Sequence, residues 1–184
     1  MQEPGKRKFT IWDAMILVAA TAVGLRVVFI RIAPKLGVHF QDFRYGSNAI
    51  REIVGGIAFF WSVALIFLRL LQPRPPLKQL VRQPGFIACL AAVFVFLANV
   101  SLQASQLISR IPNRSYYVLN MFLLPTVTFV TAPAVALAWI VLFISGEWEP
   151  EAGWVDRAGR AIGLLWIGMY TEMLIENYVR ALLF

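Results

Sequence analysis

The stretch FIACLAAVFVFLANVSLQASQLI, from Phe86 to Ile108, decides the fold class of this chain. It meets the requirement of about 20 mainly apolar residues for a helix that crosses the hydrocarbon core of a membrane. Pro84 precedes the stretch and Pro112 follows it, as helix start and stop signals do. Because a single segment can satisfy its backbone hydrogen bonds inside a bilayer only as a helix, the stretch predicts a transmembrane helix.

The composition extends this prediction to the whole chain. The 184 residues are 59% hydrophobic and only 15% charged, and their mean hydropathy is +0.69. Soluble domains are about 45–50% apolar and about 25% charged, and a chain of this size cannot hide such an excess in one core. The numbers exclude a disordered chain, a disulfide scaffold and an ordinary soluble enzyme. They predict a single membrane domain over residues 1–184, with no soluble domain.

Four more apolar stretches accompany the first. We therefore predict an all-α integral membrane helical bundle with about five transmembrane helices; the alternative is four spans plus an amphipathic or half-inserted C-terminal helix. The predicted spans are residues 11–30, 53–71, 86–108, 117–144 and 161–183. The fifth is the least regular, because Glu172, Glu176, Asn177 and Arg180 interrupt it.

The basic residues indicate the partner and the compartment. The net charge is +7, and most Lys and Arg residues flank apolar runs, as Lys6, Arg69 and Arg82 do. This placement favours contact with anionic membrane lipid over nucleic acid. Apolar residues directly after residues 6–8 predict an uncleaved signal-anchor helix. The same basic residues and the compact basic loop after the second span favour a bacterial inner-membrane protein, multi-pass, with a cytoplasmic N-terminus.

Polar residues form two stripes at helical spacing. Asn99, Gln103, Gln106 and Arg110 share one face of the third span, and Glu172, Glu176 and Arg180 share one face of the fifth. Strict up-and-down alternation brings both stripes to one membrane level, under a long predicted loop over residues 33–50. The same level also collects Arg26, Arg51, Glu52, Asn120, Thr126 and Thr128.

This polar level predicts a partly hydrated vestibule. Charged side chains deep in a bilayer are costly, so they face inward, pair with one another or line a wet cavity. The candidate ligand-binding residues are Glu172, Glu176, Arg180, Asn99, Gln103, Gln106, Arg51 and Glu52. The simpler interpretation, which we favour, is that amides join helices, that Glu176 pairs with Arg180 and that other charges reach from helix ends to the interface.

Motifs of known chemistry are missing from the sequence. It has one histidine, His39, and no H-E-x-x-H, G-x-S-x-G, Walker or G-x-G-x-x-G pattern. We therefore predict no metal, no cofactor and no catalytic residue. The single cysteine, Cys89, excludes an internal disulfide and is expected to be buried and inert. Gly55, Gly56, Gly163 and Gly168 are expected at close helix contacts, and Asp13 and Asp156 near helix N-termini.

Two segments carry a resemblance to known proteins. Residues 9–20 (FTIWDAMILVAA) and 154–160 (WVDRAGR) resemble those of an uncharacterised family of small multi-span membrane proteins of planctomycete-type bacteria. The resemblance covers a small part of the chain. It implies a bacterial integral membrane protein, and it transfers no activity and no functional residue.

Three functions fit these observations. The first is an accessory or structural subunit that acts through helix–helix contacts with other membrane subunits. The second is a carrier or receptor for a small polar ligand, an ion or a lipid headgroup in the vestibule. The third and weakest is an intramembrane enzyme with Glu172 as general acid or base.

Overall fold

The computed structural model describes the backbone of residues 9–36, 43–71, 76–109, 124–151 and 153–183. Side chains are described for residues 9–30, 49–71, 76–102, 129–151 and 153–183. In these ranges the chain forms helices and no strand. The helices are α1 (Ile11–Leu36), α2 (Phe43–Leu70), α3 (Leu77–Leu80), α4 (Pro84–Ser109), α5 (Leu124–Ile144) and α6 (Trp154–Leu183).

The all-helical prediction is confirmed for the described residues, and several helices extend beyond their predicted bounds. α1 continues to Leu36 and α2 begins at Phe43, so most of the predicted loop over residues 33–50 is helical. α6 begins at Trp154 rather than at Ala161. Hydropathy marks where a helix is apolar, not where its hydrogen-bond ladder ends, and these extensions are polar. α2 ends at Leu70, and α4 begins at Pro84, the proline that was predicted as its start signal.

Three of the described helices are long and apolar enough to cross a membrane. The qualifying segments are Ile11–Ile30, Ala49–Leu70 and Pro84–Leu102. A shorter apolar stretch, Phe129–Ile144, belongs to α5. α6 has 30 residues, but Glu172, Glu176 and Asn177 interrupt its apolar run.

The core lies where α2, α4, α5 and α6 pack together, and α1 packs chiefly against α2. Phe59 of α2 contacts Phe96 of α4 with ring centroids 3.9 Å apart, and Trp166 of α6 is fully buried. Gly24 lets α1 approach α2, because a Cβ atom there would lie 3.2 Å from the carbonyl oxygen of Gly56. The predicted role of Gly56 in a close helix contact is thus confirmed.

Contacts at the helix ends show that the long helices alternate in direction. Phe9, just before α1, contacts Trp154 at the start of α6, with ring centroids 4.9 Å apart. Arg69 at the end of α2 binds Gln83, which precedes α4. At the opposite end, Arg51 of α2 binds Glu172 of α6. We call these the near end and the far end of the bundle, and the predicted alternation is confirmed for α1, α2, α4 and α6.

Candidate functional site

The far-end cluster consists of Arg51, Glu172, Glu176 and Arg180. Arg51 donates from Nε to Oε2 of Glu172 at 3.0 Å and from Nη2 to Oε1 at 2.9 Å. It also binds Glu176, whose other carboxylate oxygen binds Arg180 one turn further along α6. A two-bond arginine–carboxylate contact is both strong and directional. The predicted pairing of the acidic stripe with arginines is therefore present, and the four charges sum to zero.

The cluster is only partly enclosed. The Arg51 side chain is 14% exposed, whereas that of Glu172 is 58% exposed. Arg51 uses two of the roughly four acceptor positions of the Glu172 carboxylate. The cluster can therefore hold α2 to α6, and Glu172 can still accept hydrogen bonds from outside the chain.

The other predicted site residues take no part in these ion pairs, or their side chains lie outside the described set. Glu52 and Asn99 are half-buried, and Glu52 forms no ion pair with any described side chain. Gln103 and Gln106 lie on α4, but their side chains are outside the described set. The vestibule therefore stays a prediction. No group of three His, Cys, Asp or Glu side chains in the described part of the chain could hold a metal ion.

A second polar network, absent from the sequence prediction, lies at the near end. Arg69 donates from Nε to Oε1 of Gln83 at 3.0 Å and binds the Glu151 carboxylate. Gln83 in turn donates from Nε2 to Oε2 of Glu151 at 2.6 Å. Arg69 and Gln83 are both buried. This corrects the interpretation of Arg69 as a lipid-contacting flank, because its guanidinium points into the protein.

The connection between α5 and α6, residues 147–151, supplies the acidic partners of this network. Glu147, Glu149 and Glu151 alternate along this irregular segment, and each carboxylate pairs with an arginine. Arg82 binds Glu149 at 2.9 Å and Glu147 at 3.6 Å. Its carbonyl oxygen also accepts a hydrogen bond from the Glu149 backbone N–H at 3.1 Å. Arg82, like Arg69, is thus paired within the chain.

Asp156 joins the N-terminal ends of α4 and α6. Its Oδ1 accepts from the backbone N–H of Gly85 at 2.8 Å, and its Oδ2 accepts from that of Glu151 at 3.2 Å. Arg160 forms an ion pair with the same carboxylate at 3.2 Å. Burial raises the pKa of Asp156, opposed by the Gly85 hydrogen bond and by Arg160 and Arg69. A carboxylate between two positive helix ends is favoured by both helix dipoles, which extends the predicted capping role to a second helix.

Asp13 caps α1 as predicted. Its carboxylate accepts from the backbone N–H of Thr10 at 3.0 Å, while the Thr10 hydroxyl accepts from the Asp13 N–H at 3.4 Å. This reciprocal pair is a capping box.

Glycines allow α6 to pack closely against α4 and α5. A Cβ atom on Gly159 would lie 2.5 Å from the Gly85 carbonyl oxygen, and one on Gly163 would lie 2.5 Å from the Trp139 ring. Trp139 also donates from Nε1 to the carbonyl oxygen of Pro84 at 2.9 Å. The prediction for Gly163 is confirmed. The prediction for Gly168 is wrong for the described part of the chain, because none of those residues lies within 4 Å of a Cβ atom there.

A small cavity adjoins the near-end network. Its volume is about 10 Å³, room for about one water molecule. Its walls include Arg69, Gln83, Asp156 and Cys89. Cys89 is 1% exposed, as expected for an inert thiol. The cavity is too small for an organic ligand.

The near-end network left weak signals in the sequence. The alternation of Glu147, Glu149 and Glu151 and the pair Asp156 and Gly159 are visible, but each partner is remote in the chain. Only the crossing of α4 and α6 brings them together.

Comparisons with known proteins give no relative. No family model, no curated protein and no solved structure matches the chain. The resemblance to the planctomycete-type family therefore stays a prediction.

Proposed function

We propose that the chain is a five-span protein of the bacterial inner membrane, with a cytoplasmic N-terminus, that acts as an accessory or structural subunit through helix–helix contacts. The observation that carries this proposal is the internal pairing of polar residues at both ends of the bundle. Arg51 binds two carboxylates at the far end, and Arg69 binds Glu151 and Gln83 at the near end. Side chains held in this way fix helices to one another.

The two polar layers support a full crossing by α6. At a rise of about 1.5 Å per residue, Arg51 lies about 27 Å from Arg69 along α2, and Glu172 lies about 24 Å from Asp156 along α6. Both spacings approach the hydrocarbon thickness of about 30 Å. Because α6 meets α2 at the far end and follows Glu151 at the near end, residues 161–183 are proposed to span the membrane alongside α2, despite their charges.

The position of the chain termini tests the span count. Five spans put the termini on opposite sides, whereas four spans plus a half-inserted helix put them on the same side. Fluorescent protein, active in the cytoplasm, and alkaline phosphatase, active in the periplasm, are each fused to either terminus in a bacterial host. We expect fluorescence only at the N-terminus and phosphatase activity only at the C-terminus. Two cytoplasmic termini would overturn the fifth span.

The accessory role is tested by purification in mild detergent followed by mass spectrometry. A subunit or further copy of the chain retained at a fixed stoichiometry, and lost on exchange into harsh detergent, would support it. A small molecule that co-purifies with the native chain and is lost in Glu172→Gln would overturn it in favour of the ligand-binding alternative.

One observation favours that alternative, a receptor or carrier for a polar ligand. Glu172 and Arg180 remain 58% and 42% exposed at their side chains although both are paired. A polar molecule bound there would compete with Arg51 for Glu172, so its binding would weaken in Glu172→Gln and would be strengthened or unchanged in Glu52→Gln. In either case, we propose that the chain does not catalyse a reaction.

A further inference from the structure

Two exposed faces of the bundle carry the same side-chain pattern with opposite charges. Each face places a small residue one helical turn before a charged one, among apolar neighbours spaced three or four residues apart. On α1 the exposed residues of this face are Met15, Val18, Ala22, Arg26 and Phe29. On α6 they are Ala161, Leu164, Gly168, Glu172 and Ile175.

The two charges lie at the same depth. The ring contact between Phe9 and Trp154 places the starts of α1 and α6 at one level. At about 1.5 Å per residue, Arg26 lies about 26 Å beyond Phe9 and Glu172 lies about 27 Å beyond Trp154. α1 and α6 run in the same direction, so their two faces stay in register along the membrane normal.

Contacts with the described residues leave part of each face uncovered. Arg26 is exposed and forms no ion pair with a described side chain. The Glu172 carboxylate is 58% exposed and retains acceptor positions that Arg51 does not fill. A Cβ atom on Gly168 would meet no described residue within 4 Å, although a glycine inside a helix lowers helix propensity.

We propose that the α1 face of one copy of this chain packs against the α6 face of a second copy, with Arg26 of one copy bound to Glu172 of the other. Ala22 and Gly168 would meet one turn away, and small residues allow such close approach of membrane helices. The occupant is a second copy because its charge is complementary and its depth equal. All copies inserted with one orientation preserve that match.

The geometry of this contact fixes the type of assembly. The two faces are different surfaces, so the contact is heterologous and repeats head to tail, as a ring around the membrane normal where the rotation between copies closes and as an open row where it does not. The inference rests on the membrane placement in the proposed function, and it names the partner of the helix contacts.

Cross-linking between mixed cysteine variants tests the contact. Differently tagged Ala22→Cys and Gly168→Cys chains, both in a Cys89→Ala background, are co-expressed and oxidised in native membranes. We expect a cross-linked dimer carrying both tags, several-fold more abundant than the homotypic dimer of either variant. Ala22→Cys with Leu182→Cys is the matched control, since Leu182 is exposed on the same helix about 21 Å from Gly168. This pair should not cross-link.

The charge pair is tested in the same assay. Arg26→Gln should lower the mixed cross-link yield about tenfold, equivalent to about 1.4 kcal/mol, and Arg26→Lys should restore most of it. An unchanged yield in Arg26→Gln would show that Arg26 contacts lipid headgroups instead. Homotypic dimers alone, or no dimer, would also overturn the inference. If the terminal reporters still show five spans, that failure leaves the proposed function standing.

Discussion

The guanidinium of Arg51 binds the carboxylate of Glu172 through two hydrogen bonds, of 2.9 and 3.0 Å, across the boundary between α2 and α6. The same guanidinium binds Glu176, so one half-buried arginine holds two acidic residues on successive turns of α6. This geometry makes Arg51 the central member of the far-end cluster. Arg51, Glu172 and Glu176 should therefore contribute unequally to the stability of the bundle.

Arg51→Gln should destabilise the bundle more than Glu172→Gln. Removing Arg51 leaves two carboxylates close together without their shared partner, and losing hydrogen bonds to a charged group costs about 1.5–3 kcal/mol. Glu172 is largely exposed, so its loss should cost about 1 kcal/mol, as for surface pairs. Reversible unfolding in detergent measures both variants and the double variant. Equal losses in the two single variants, with no coupling between them, would contradict the unequal roles.

Gly159→Ala should destabilise the contact between α4 and α6. Its new Cβ atom would lie 2.5 Å from the Gly85 carbonyl oxygen, and overpacking of this kind costs about 1–3 kcal/mol. Gly168→Ala is the matched control on the same helix, since no described residue crowds its Cβ and alanine favours the helix. Unfolding of the monomeric chain in detergent should therefore separate the two variants in opposite directions. A neutral Gly159→Ala would show that the two helices pack further apart.

Asp156→Ala should cost more than Asp156→Asn. Asparagine keeps an oxygen for the Gly85 N–H, whereas alanine leaves the buried Gly85 N–H at the start of α4 and the part-buried Glu151 N–H before α6 without their acceptor, a loss of about 1–3 kcal/mol. The pH dependence of the free energy of unfolding gives a second test of Asp156. Because burial raises the folded-state pKa of Asp156, its protonation stabilises the folded chain, and this contribution is lost as pH rises through that pKa. The wild-type chain should therefore lose stability relative to Asp156→Asn as pH increases, and the opposite trend would contradict the raised pKa.

The most successful sequence predictions came from the apolar runs and from the alternating direction of the helices. The run from Phe86 to Ile108 predicted α4, and alternation of successive helices placed Arg51 at the same membrane level as Glu172. Both inferences need only the local composition and the up-and-down alternation of successive helices. Neither depends on how the helices cross. The helical extension of α2 back to Phe43 was beyond this reasoning, because hydropathy ends where the polar residues begin.

The near-end network could not be predicted in the same way. The contact between Asp156 and Gly85 joins residues 71 positions apart and needs the helix approach that Gly159 permits. Arg69 and Arg82 have the composition of membrane-flanking cations, and nothing local reveals that Glu147, Glu149 and Glu151 cross over them. Such contacts follow from tertiary packing, which leaves no repeating pattern of residues in the sequence.

Glu151→Gln should weaken the attachment of the α5–α6 connection, whereas Glu149→Gln should hardly affect it. Glu151 binds buried Arg69 and is 24% exposed at its side chain, so replacing its charge should cost about 2–3 kcal/mol. Glu149 pairs with Arg82 at the surface and is 57% exposed, so its replacement should cost less than about 1 kcal/mol. Unfolding in detergent gives the free energies, and limited proteolysis between residues 145 and 153 reports detachment directly. Faster cleavage in Glu149→Gln than in Glu151→Gln would show that Arg82, not Arg69, holds the connection in place.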